Sequence, residues 1–175
     1  LRIQNDARSG SWHACNRRYS ERAETRDVFA AWIEHGTAPR AATYSYLVVP
    51  GVDRDDVGGC PATTDLRVLN NGEQLQAVTH ARLGLVAAAF YRRGEVQVRP
   101  ELAIGVDKPC LMLARVRDSE VVLALANPTN TASEVQVTVA AGEAEPVSRR
   151  TVIHLPDGFQ AGSSVVQQLS LARPK

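Results

Sequence analysis

The residues able to do chemistry in this sequence are four histidines, three cysteines and one acidic cluster. His35 comes first, in "WIEHGTAPRAATYSYLVVPG" (Trp32 to Gly51), beside Glu34 and ahead of Tyr44 and Tyr46. A histidine acting as general base needs a group that orients it and a proton within reach. Glu34 is its neighbour in sequence, but successive residues of a strand point to opposite faces. Gly36 more readily supplies an unusual backbone angle, which makes His35 a hydrogen-bonded corner residue. His13 and Cys15 share one face if "SWHACN" is extended, yet no second close pair completes a metal set. His80 and His154 stand singly among strand residues and read as surface or half-buried. Asp53, Asp55 and Asp56 offer oxygen ligands of the kind calcium takes, but the twelfth position of such a loop is Thr64 in place of glutamate. A solvated loop is the expectation there. No metal and no cofactor are expected.

Other catalytic signatures are missing. The chain has no G-x-S-x-G elbow, no P-loop and no G-x-G-x-x-G. Gly162, Ser163 and Ser164 read as a turn before the last strand. The residues by themselves give a β protein without a catalytic set.

The elements that must position these residues follow from patterning. "TYSYLVVP" is rich in β-branched and aromatic residues, apolar on both alternating faces, and stops at Pro50-Gly51; it reads as a strand covered on both sides. A strand is also expected near Val28 to Ile33. "GVDRDDVGGCPATTD" is a loop. "LRVLNNGEQLQAVTH" reads as a hairpin around Asn71-Gly72, and "LGLVAAAFYRRGEVQV" as further strand pairs. From Cys110 the runs "LMLARVR", "VVLALANPT", "EVQVTVA", "RRTVIHLP" and "SSVVQQLSLA" alternate between turn signals at Asp118-Ser119, Asn127-Pro128 and Asp157-Gly158. That texture predicts a small antiparallel sandwich. A boundary is expected between Ile104 and Pro109, giving one domain over 1–105 and a second over 106–175.

Composition narrows the function classes. The 175 residues carry 20 Lys and Arg against 19 Asp and Glu, a net charge of +1, which excludes the basic field of a dedicated nucleic-acid binder. The lysines are Lys108 and Lys175 alone; Arg17-Arg18, Arg92-Arg93 and Arg149-Arg150 are read as solvated pairs. The apolar stretch "LGLVAAAFY" falls well short of the ~18 residues of a membrane span, so no span is expected. Cys15, Cys60 and Cys110 show no C-x-x-C spacing; one bridge plus one free thiol stays open. The chain starts "LRIQNDARSG", without Met or an export signal, and is expected to continue upstream.

Four pieces, in order, resemble polysaccharide lyase family 8, which includes hyaluronate, chondroitin AC and xanthan lyases. Gly10, Trp12 and Asn16 match a Gly-x-Trp-x-x-x-Asn element. His35, Gly36, Pro39, Tyr44, Tyr46 and Pro50 match a His-Gly-x-x-Pro-x-x-x-x-Tyr-x-Tyr-x-x-x-Pro run. Gln76 to Val78 resemble the family's Gln-Ala-Val, and Asn127-Pro128-Thr129 stand where Asp-Pro-Thr is usual. The resemblance implies an all-β chain: the end of a large antiparallel β-sandwich over 1–105, then a small C-terminal antiparallel β-sandwich over 106–175. It implies a secreted or extracellular enzyme that cleaves acidic polysaccharide (hyaluronan, chondroitin or xanthan) by β-elimination. The family's catalytic tyrosine, histidine, asparagine and arginines sit on a helical domain that precedes these residues. No catalytic residue is therefore assigned here, binding residues stay unknown, and the expected partners are the polysaccharide and the upstream helical domain. The competing expectation is an autonomous carbohydrate-binding or adhesive β module. An isolated piece of this kind is expected to self-associate or to be only marginally stable, because its apolar surface lacks a cover.

Overall fold

A computed structural model describes residues 1–59, 65–117, 119–142 and 147–171. Its described elements are twelve β-strands and three short 3-10 turns. By contacts the chain forms two compact units, Leu1–Tyr46 and Leu47–Lys175.

The first unit is a two-stranded antiparallel ribbon. β1 (Arg2–Gly10) pairs with β2 (Glu24–Trp32) from Arg2↔Trp32 to Gly10↔Glu24. The strand expected near Val28 is therefore present and begins earlier. Between the two strands, η1 (Trp12–Ala14) closes a tight loop.

The second unit carries the hydrophobic core. β3 (Leu66–Asn71) and β4 (Leu75–His80) form the hairpin that Asn71-Gly72 predicts. The Gly72 amide donates to Leu75 O at 2.9 Å and to Asn70 Oδ1 at 2.9 Å, an Asx-type turn that closes the loop. The remaining strands are β5 (Leu85–Phe90), β6 (Gly94–Arg99), β7 (Leu102–Val106), β8 (Cys110–Val116), β9 (Glu120–Ala126), β10 (Glu134–Ala141), β11 (Val147–His154) and β12 (Val165–Ser170). They build a six-stranded sheet in the order β12-β9-β8-β5-β4-β3 and a four-stranded sheet in the order β11-β10-β7-β6. All pairings are antiparallel.

The expected alternation decides which face is inside. Val86, Ala88 and Phe90 of β5, Cys110, Met112 and Ala114 of β8, and Val121, Leu123 and Leu125 of β9 point inward from one sheet. Leu102, Ile104 and Val106 of β7 and Val135, Val137 and Val139 of β10 meet them from the other. These residues form one buried cluster, as aligned sandwich packing requires.

The expected division at residues 105 and 106 meets a strand. Residues 105 and 106 both lie within β7, which pairs with β6 and with β10, so no break between sheets falls at the expected division. The turn residues Asp107 to Pro109 are instead a crossover from the four-stranded to the six-stranded sheet. The one expectation that needs correction is "TYSYLVVP", which is not a strand: residues 43–49 join no strand ladder among the described residues, and Tyr44, Tyr46, Leu47 and Val48 are exposed. A β-forming pattern becomes a strand only when a neighbour supplies the ladder.

Candidate functional site

The residues singled out for chemistry do not converge. In the β1–β2 loop the Trp12 carbonyl accepts from the Asn16 amide at 3.0 Å, and Asn16 Oδ1 accepts from the Arg18 amide at 3.0 Å. Trp12 and Asn16 are thus parts of one turn that follows Gly10 at the end of β1, with Trp12 exposed. His13 folds back into the same loop. Its Nδ1 lies 3.0 Å from Tyr19 O and its Nε2 is 3.6 Å from Glu21 Oε1. The stretch is a 3-10 turn, so His13 and Cys15 do not share a strand face. Cys15 is exposed and free, and no group of three or more metal-binding side chains occurs among the described residues.

His35 lies just beyond β2. Its neighbour Glu34 pairs with Arg2 at 2.5 Å, as the opposite-face argument anticipates. Gly36 takes φ +79°, the unusual angle expected of it, and Ala38 and Ala41 also adopt positive φ. The His35 ring contacts Tyr44 at 6.1 Å between centroids, and Tyr44 stacks on Tyr46 at 6.3 Å. This aromatic row is open to water on its flanks, which is no setting for stabilising a developing charge. The corner reading stands for the backbone; the described contact of His35 is with a ring.

Asp53 precedes the 3-10 turn η2 (Arg54–Gly59) and Asp55 and Asp56 lie in its first turn, where the Asp56 amide donates to Asp53 O at 3.0 Å. Thr64 and Cys60 lie outside the described residues. His154 is exposed and pairs loosely with Glu134 at 3.7 Å. His80 is half-buried, and its Nδ1 has no hydrogen-bond partner among the described residues. Cys110 is buried in the core; burial, with the charge of Asp107 second, pushes its thiol from 9.0 up to about 12. A thiol held neutral in this way is inert as a nucleophile.

What the sequence did not disclose is a surface. On the outer face of the six-stranded sheet, register places Val68 opposite Val78, Val78 opposite Ala87, and Ala87 opposite Leu113. Leu113 lies opposite Ala124, and Ala124 opposite Val166. An apolar row therefore crosses all six strands. Beside it, Ala89, Leu111 and Ala126 repeat the pattern for three strands. Leu113 is 49% exposed and Val166 66%. A continuous apolar band of this kind marks a face that packs against something.

An all-β chain that combines a ribbon and a compact sandwich belongs to the class of β-sandwich proteins. Its family is specific. Residues 1–58 match the super-sandwich domain of polysaccharide lyase family 8, and residues 67–136 match that family's C-terminal beta-sandwich domain. The chain belongs to polysaccharide lyase family 8. It is 35% identical over 128 residues to chondroitinase-AC of Pedobacter heparinus, covering 73% of this chain and 18% of that protein. It is 31% identical over 167 residues to hyaluronate lyase of Thermasporomyces composti, covering 95% of this chain and 20% of that one. It superposes on a chondroitinase AC lyase solved with oligosaccharides at TM-score 0.77 and 30% identity, over 95% of this chain and 25% of the other. The chain thus spans about a fifth of the length of the curated relatives it matches.

Proposed function

We propose that this chain is the C-terminal β portion of an extracellular polysaccharide lyase that cleaves hyaluronan or chondroitin by β-elimination. In this reading it buttresses a catalytic helical domain outside these residues and supplies none of the reacting groups. The elimination removes the uronate C5 proton while the adjoining carboxylate is neutralised, which demands preorganised donors and a base in one cleft. Among the described residues the histidines and the Tyr44–Tyr46 pair are dispersed over exposed loops and strand ends. The observation that carries the reading is the apolar row from Val68 to Val166, a face shaped to be covered.

The test is to compare the chain alone with a longer polypeptide carrying the helical domain. Both are incubated with hyaluronan and with chondroitin, and unsaturated uronate is followed by ultraviolet absorbance. The expected result is turnover by the longer polypeptide only. Turnover by the 175-residue chain would overturn the assignment.

A further inference from the structure

We propose that the end of the sandwich built by the β9–β10 turn and the β11–β12 loop is a binding site for a neutral sugar residue. This goes beyond the lyase reading and does not depend on it. The two segments enclose an open concavity of about 460 Å³, within the range of about 300–1,000 Å³ typical of small-molecule sites. The walls are tied before any ligand arrives. Asn130 N donates to Asn127 O at 3.2 Å, Ser163 N to Gln160 O at 3.0 Å, and Leu155 N to Ser133 O at 2.7 Å across the two segments. Gly162, at φ +84°, brings its wall against Asn130: a Cβ there would lie 3.3 Å from Asn130 Oδ1.

A sugar ring needs hydrogen-bond acceptors and donors for its hydroxyls and an apolar platform for its C–H face. The site holds each. Asp157 stands at the N-cap of η3 (Gly158–Gln160), a position where a carboxylate ordinarily bonds the turn's amides. Here its side chain makes no such bond. It also takes part in no described ion pair, so its carboxylate is an uncommitted acceptor in the wall. Thr131 and Ser163 add hydroxyls that serve as donor or acceptor.

Asn127 is built into the same wall and is only 3% exposed. Its Oδ1 accepts from Thr129 N at 3.0 Å and from Thr129 Oγ1 at 2.6 Å, which fixes the orientation of the amide. Its Nδ2 is left buried without a partner among the described residues. Unpaired buried donors are uncommon in native folds, and this one belongs to a residue that lines the concavity.

The apolar part of the lining includes Ala132, Pro156 and Ala161, and the platform is assigned to Phe159, next to the lining in sequence but outside it. It sits in η3 between the wall residues Gly158 and Ala161 and is fully exposed. Aromatic rings carry large apolar area that folding normally hides, so a ring left outside beside a polar hollow fits the face of a pyranose. Among the described residues the lining has no Lys, Arg or His. With Asp157 as its ionisable group, the site disfavours uronate and sulfate and selects an uncharged ring.

The experiment is an NMR titration of the 175-residue chain with methyl β-glucopyranoside, N-acetylglucosamine and sodium glucuronate, each separately. Neutral sugars should give saturable shifts confined to residues 127–133 and 155–163. Glucuronate should bind more weakly. Phe159→Ala and Asp157→Asn change exposed side chains and leave the fold intact. Each should weaken neutral-sugar binding by about tenfold, and Asp157→Asn should also reduce the bias against glucuronate. Absence of shifts at the highest soluble sugar concentration would overturn the proposal, as would insensitivity to both variants. A preference for glucuronate would overturn it too, and so would shifts at these residues with calcium chloride but not with sugar.

Discussion

Replacing Leu113 with glutamate probes the apolar row at its centre. Val68, Val78, Leu111, Leu113 and Val166 are 52, 40, 45, 49 and 66% exposed. Fully burying a Val or Leu side chain gains about 1.5–3 kcal/mol, so covering what remains open gains about half of that at each residue, or about 4–7 kcal/mol together. Bringing two free molecules together costs an estimated 4–15 kcal/mol. A face-to-face pair covers both rows and doubles that gain to about 8–14 kcal/mol. Separate copies of the chain should therefore associate weakly, with a net of about 4–5 kcal/mol and a dissociation constant on the order of 0.1–1 mM. A covering segment within the same polypeptide faces far less of that cost. Leu113→Glu removes one contact and forces a charge into any covered interface, so self-association should weaken at least about tenfold. The side chain points away from the core, and such substitutions usually change stability within about ±0.5 kcal/mol. Sedimentation equilibrium over a concentration series, with thermal melting alongside, reads both quantities. A wild-type chain that stays monomeric at about 1 mM, or a Leu113→Glu chain that associates as before, would refute the reasoning.

Three further outcomes follow from the core. Leu123→Ala empties a fully buried site between the sheets and should cost about 2–5 kcal/mol in chemical denaturation. Gly84→Ala should cost more than about 1 kcal/mol, because Gly84 has φ +60° and a Cβ would lie 2.6 Å from Val116 O. Equilibrium denaturation checks it. Cys110 gives a pH dependence: its folded value, about 12, lies above the ordinary 9.0, so its contribution is complete below about 9 and is lost as pH rises toward 12. The slope should approach about 1.4 kcal/mol per pH unit, flatten in Cys110→Ala, and be accompanied by slow thiol labelling of Cys110 beside rapid labelling of exposed Cys15.

Much of the sandwich was legible because its signals are local. Asn71-Gly72 gave the β3–β4 turn, and strict alternation gave β8 through β12. What was not legible depends on partners. "TYSYLVVP" has strand composition, but a strand needs a ladder, and residues 43–49 join none among the described residues. Asp107 to Pro109 read as a linker because a crossover between two facing sheets uses the same turn residues as a domain boundary. "SWHACN" reads as extended until the Asn16 amide bonds back to Trp12 O and closes the turn. The apolar row had a signal that alternation obscured: Leu111 and Leu113 are apolar in the phase that faces away from the core, as are Val78 and Val166. Only register across six strands joins them. Asp157 and Phe159 lie in a loop, where no periodicity distinguishes an uncommitted carboxylate or an exposed ring from ordinary surface.

The central claim is that this β portion supports a lyase without performing its chemistry. The most direct measurement is the ultraviolet assay for unsaturated uronate, run on hyaluronan and chondroitin with the 175-residue chain and with a polypeptide that extends it through the helical domain. Product from the extended polypeptide and none from the chain alone is the predicted result. Product from the chain alone, or none from the extended polypeptide on either polysaccharide, would contradict it.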